Sequence, residues 1–63
     1  MNVEYEVKNL RILKRFVDKE IGTEYDANIN KFDLSGYLTV FDLTTDEHKK
    51  IREFIKNNDL YLN

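Results

Sequence analysis

Sixty-three residues with a net charge of −2, 35% charged and 41% hydrophobic, and with no cysteine, hold one domain at most, residues 1–63. A chain this short buries only about 60% of the surface its unfolded form exposes, and without cysteine it has no disulfide, thiolate zinc site or thiol redox chemistry to stabilise it. The near balance of charge argues against a protein that grips DNA through its phosphates, and one histidine cannot make a His-rich metal site.

Strand-period alternation opens the chain. Val3, Tyr5 and Val7 alternate with Glu4, Glu6 and Lys8, so residues 3–8 read as a strand. A helical reading competes, because Val3, Val7, Leu10, Leu13, Val17 and Ile21 also share one stripe, with Phe16 beside it. From Leu10 to Ile21 the helical period prevails, with Asn9 as a possible N-cap and Gly22 as the C′ stop. The following segment, EYDANINKFDLSGYLTVFDL, reads as a β-hairpin turning at Ser35-Gly36, where glycine is expected to supply positive φ. Tyr37, Thr39, Phe41 and Leu43 line one face of its second strand and Leu38 and Val40 the other, which makes that strand central or covered on both sides.

Thr44 and Glu47 then form a Ser/Thr-x-x-Glu capping box, with Asp46 favoured in the first turn by the helix dipole. Ile51, Phe54 and Ile55 give this second helix its apolar stripe, and Asn57-Asn58 ends it. The tail Leu60-Tyr61-Leu62 is apolar enough to pack as a short strand or lid. Two blocks echo each other, LKRFV at 13–17 and IREFI at 51–55, as duplicated units or as two solutions to the need for an amphipathic helix with a Phe anchor.

The fold class is therefore α/β of the α+β type. A small antiparallel sheet, a β-hairpin plus a possible N-terminal strand, packs against two amphipathic helices in the order β-α-β-β-α, with α-β-β-α as the alternative.

Residues that could do chemistry are few. Asp42, Asp46, Glu47 and His48 crowd together, but capping accounts for the acids, and His48 lacks an orienting partner, a nucleophile or co-ligands at usable spacing. The two isolated glycines make no phosphate loop. A non-enzymatic chain with no cofactor and no metal is expected. Lys8, Arg11, Arg15 and Lys19 recur at spacings of three and four, with Lys14 alongside. They form a basic stripe that could hold phosphate or an acidic protein, or a solvated face with pairs such as Lys14–Asp18. Phe16, Phe32, Phe41 and Phe54 are expected in the core. Tyr5, Tyr25, Tyr37 and Tyr61 suit an interface rim or a half-buried sheet face.

These residues point to a small protein-binding module, such as a phage- or mobile-element-encoded inhibitor or regulator of a host protein. Its candidate partner-binding residues are Lys8, Arg11, Arg15, Lys19, Tyr25, Tyr37 and Tyr61. Abundant Asn, Lys, Ile and Tyr with no Pro or Trp is the composition of an A+T-rich coding sequence, as in a low-G+C bacterium or its phage. The alternative is an accessory nucleic-acid binder using the basic stripe. Partners are another protein and a second copy of the chain, since self-association is the remedy left to a small domain without staples. No membrane span or signal peptide is legible, so the cytoplasm is the default compartment.

Overall fold

The computed structural model describes residues 1–62. Its elements are β1 (Val3–Val7), α1 (Leu10–Phe16) continued by a π-helical turn (Val17–Ile21), β2 (Tyr25–Ile29), β3 (Gly36–Val40) and α2 (Thr45–Asn57). The order is β-α-β-β-α, and the strand reading of residues 3–7 prevails. Both β1 and β2 pair antiparallel with β3, so the sheet order is β1-β3-β2 and β3 is central, as expected.

Helix 1 begins where Asn9 stands. Its Oδ1 accepts from the Ile12 N–H at 3.3 Å, satisfying one of the donors a helix start leaves free. The helix ends at Gly22, which takes φ 77° and donates its N–H to the Val17 carbonyl at 2.8 Å. That bond spans five residues, so the last turn is wider than α. Helix 2 starts on the anticipated box: Thr44 Oγ1 accepts from the Glu47 N–H at 3.1 Å, and Glu47 Oε1 accepts from the Thr44 N–H at 2.9 Å.

Both helices cover one face of the sheet. The register aligns Val3–Val40–Tyr25, Tyr5–Leu38–Ala27 and Val7–Gly36–Ile29 across the three strands on that face. Eleven residues form the core: Tyr5, Val7, Leu10, Leu13, Val17, Leu38, Val40, Leu43, Ile51, Ile55 and Leu60. The echoed blocks meet here. Phe16 and Phe54 stack with ring centroids 4.1 Å apart and planes 19° from parallel, while their neighbours Leu13, Val17, Ile51 and Ile55 are buried. The tail packs as anticipated: Leu60 is buried, its carbonyl accepts from the Lys8 N–H at 3.0 Å, and Tyr61 forms a bridge with Val7.

The hairpin turn departs from expectation. Residues 30–35 make the connection, Gly36 is already in β3, and the positive φ falls on Leu34, at 66°. Gly36 is needed for space instead, since a Cβ there would collide with the Asn28 carbonyl oxygen on β2. Nor is β3 covered on both sides, because Tyr37 on the second face is exposed.

Candidate interaction surfaces

Four surfaces collect the chemistry of this chain. The first is the exposed side of helix 1, where Arg11, Lys14, Arg15, Asp18 and Lys19 line a shallow, open depression. Lys8 is not part of it. It lies in the bend after β1, where no helical spacing applies, and its Nζ pairs with Asp59 Oδ2 at 3.2 Å, the sole salt bridge among the described residues. The anticipated Lys14–Asp18 pair is also absent. Asp18 Oδ1 instead accepts from the Tyr25 hydroxyl at 2.8 Å, a bond that raises the phenol's pKa, with burial adding to it. The stripe read from the sequence thus contracts to Arg11, Lys14, Arg15 and Lys19.

The second surface joins β1 to α2. Tyr5 is 6% exposed, a core residue and not a rim residue, and its hydroxyl meets His48 Nδ1 at 2.6 Å. Burial pushes the Tyr5 phenol up to about 12, against a smaller downward pull from Arg52. The phenol therefore stays protonated near neutrality, and its hydroxyl and His48 Nδ1 are partners in one hydrogen bond. His48 is the hydrogen-bond partner of a nearly buried hydroxyl, not a free surface residue. A bond across 43 positions of sequence left no local signal to find it. Around it lie Glu4, Glu6, Arg52 and Tyr61. The other acids of the cluster do not converge on it: Glu47 is held in the capping box, and Asp42, at φ 56°, gives its N–H to Asn2 Oδ1 at 3.1 Å.

The third surface is the outer face of the sheet. The rows Glu4–Thr39–Asp26 and Glu6–Tyr37–Asn28 face away from the helices. Tyr37 is 44% exposed, and the Glu6 carboxylate beside it, as acceptor and as charge, raises its phenol pKa. The strands carry three acids and no base, whereas the helices carry eight of the ten bases against five acids. A net charge of −2 thus conceals a negative face and a positive one.

The fourth surface is the hairpin tip. Phe32, expected in the core, is 99% exposed. Its position follows from the turn: Asn30 Oδ1 accepts from the Phe32 N–H at 2.9 Å, and Asn30 O accepts from the Leu34 N–H at 2.9 Å. Asp33 Oδ1 accepts from the Ser35 N–H and hydroxyl at 3.0 and 2.7 Å, bonds that hold the Asp33 carboxyl below its usual pKa. The Leu34 carbonyl accepts from the Leu10 N–H at 2.8 Å, tying the tip to the start of helix 1. Phe32 thus sits between two Asx-type turns that throw it outward. The other three phenylalanines are half-buried. Tyr61, 47% exposed, lies at the opposite edge of the sheet, beside β1.

Comparison of the chain with protein-family models, with curated proteins and with solved structures finds no match. No helix among the described residues is long and apolar enough to cross a membrane.

Proposed function

We propose that this chain is a small, non-enzymatic protein-binding module, of the kind a phage or mobile element encodes to inhibit or regulate a host protein, acting in the cytoplasm. One observation supports this reading above the others: Phe32, 99% exposed at the end of a turn that side-chain hydrogen bonds hold in shape. Burying a phenylalanine is worth roughly 1.5–3 kcal/mol, and nothing among the described residues takes up that ring. Presented on a preorganised loop, it loses little freedom on entering a partner's apolar pocket. Lys31 and Asp33 flank it as a polar rim.

The test compares wild type with Phe32→Ser. Affinity capture from the native host identifies the partner, and calorimetry with that purified partner measures the difference. A loss of about 30-fold or more is expected, matching a central anchor, with the melting temperature unchanged. Equal affinities would remove Phe32 from the interface and the reading with it.

A second reading has its own observation. Arg11, Lys14, Arg15 and Lys19 share one depression, and the one acid among them, Asp18, is engaged by Tyr25. If that patch held nucleic acid, log K would fall with log salt at a slope of about −2 to −4 for two to four phosphates. The acidic sheet face weighs against this reading, since it repels a polyanion that wraps the domain.

A further inference from the structure

The two edges of the sheet are treated differently. Along β1 the tail lies alongside at Val7 and Lys8, and Glu4 and Glu6 stand on the strand. β2 has no covering segment among the described residues, and Asp26 is the one charge on it. Its sequence, Tyr25-Asp26-Ala27-Asn28-Ile29, has no lysine and no proline, and on the helix-covered face Ala27 and Ile29 are still exposed. Natural proteins block such edges, because an open one is a template for another strand.

The register shows which backbone groups are free. Phe41 N–H donates to Glu24 O at 3.0 Å and Asn30 N–H to Ser35 O at 2.7 Å. Antiparallel pairs alternate between hydrogen-bonded and non-hydrogen-bonded, so residues 24, 26, 28 and 30 turn their peptide groups toward β3. Tyr25, Ala27 and Ile29 therefore turn theirs outward, and no loop or tail bonds to them among the described residues.

We infer that β2 pairs with β2 of a second copy of this chain, antiparallel about a two-fold axis at Ala27, to give a continuous six-stranded sheet. In this register Ala27 faces Ala27 of the second copy, and Tyr25 and Ile29 face each other in both directions. All three outward N–H groups and all three outward carbonyls of each strand are then bonded. Shifting the register by two residues leaves one residue of each strand unpaired. One such shift also sets Asp26 opposite its own copy, a like-charge pair. In the Ala27-centred register Asp26 instead faces Asn28, an acceptor opposite a donor. On the helix side an aromatic faces a β-branched residue, a favoured cross-strand pair. The symmetry is isologous and closes at two copies.

A five-residue strand pair is at the small end of specific interfaces, so a Kd of about 10 μM to 1 mM is expected. This inference uses residues distant in role from the hairpin tip, so each can fail alone: Phe32→Ser should leave the dimer intact. The experiment is sedimentation equilibrium from about 10 μM to 1 mM, a range set by that Kd, on wild type, Ala27→Lys and Ala27→Glu. Ala27 is exposed, so both variants keep the monomer fold, checked by urea midpoints at low concentration. Each variant alone places like charges face to face at the axis and should be monomeric. An equimolar mixture places lysine opposite glutamate and should regain the dimer mass. Wild type monomeric throughout, variants that dimerise as wild type does, or a mixture that stays monomeric would each overturn the proposal.

Discussion

Gly36→Ala is the sharpest probe of how the sheet is packed. Added to the backbone at 36, a methyl group meets the Asn28 carbonyl oxygen far inside contact distance, with the Ile29 Cα at 3.0 Å and the Asn28 carbonyl carbon at 3.1 Å. All three are main-chain atoms of the neighbouring strand, which cannot swing away as a side chain does. Relief requires β2 and β3 to separate where Asn28 pairs with Tyr37 and where Asn30 bonds Ser35. Overpacking alone costs about 1–3 kcal/mol, and one weakened ladder bond adds about 1 kcal/mol. A total of about 2–4 kcal/mol is large against the roughly 3–9 kcal/mol that a domain of this size holds. Gly22→Ala is the control, because Gly22 has φ 77° but open space around a Cβ, so only the left-handed backbone penalty of about 1–2 kcal/mol applies. Urea unfolding with a shared m-value should rank Gly36→Ala well below Gly22→Ala, with hydrogen-exchange protection at Asn30 and Tyr37 falling first. A Gly36→Ala midpoint equal to or above that of Gly22→Ala would refute the close-approach argument.

Thr44→Ala removes the hydroxyl that accepts from the Glu47 N–H and should cost about 1 kcal/mol, with Thr44→Ser close to wild type; an unmoved urea midpoint at constant m would exclude the cap as a stabilising feature. Tyr5 carries an alkaline signature. Its phenol is pushed up to about 12 by burial from an ordinary value of 10.0, so the folded state holds that proton more tightly than the unfolded one does. The contribution is complete below pH 10 and lost as pH rises through 12. It amounts to on the order of 1–2 kcal/mol once partial solvent access is discounted. Stability of wild type and Tyr5→Phe, followed by urea unfolding from pH 9 to 11.5, should therefore converge as pH rises, and parallel curves would show that Tyr5 does not titrate in this way.

What the sequence makes legible is local. The Thr44/Glu47 box, the Asn9 cap and the Gly22 stop each depend on residues three to five apart, and all three stand where spacing put them. The apolar stripe of helix 1 is equally local, so Leu10, Leu13 and Val17 are in the core as their period implies. Two errors share one physical source, the hairpin turn. Reading Ser35-Gly36 as the corner assigned the left-handed residue to glycine, whereas Asx turns at Asn30 and Asp33 move the corner upstream and leave Leu34 to adopt φ 66°. The same displacement takes Phe32 off any strand face. Tyr5 and His48, and Lys8 and Asp59, pair across 43 and 51 positions, where no periodicity reaches. For the candidate surfaces, composition reported the balance of charge but not its separation, because the faces exist only once β1 and β2 lie either side of β3.

That strand order also bears on how the chain is made. β1 and β2 are not neighbours, and each finds its partner only in β3. As a ribosome releases the chain from its N-terminus, the interval between completing Val7 and completing Val40 lasts roughly 2–7 s at 5–20 residues per second. Through that interval β1 has no mate, β2 joins it unpaired once Ile29 is made, and helix 1 has no sheet to lie on. Emergence of Gly36–Val40 then allows both ladders to zip onto one template in microseconds to milliseconds, far faster than synthesis. Assembly of the sheet thus waits on its last strand, and a chain that stops short of Gly36 can form neither ladder.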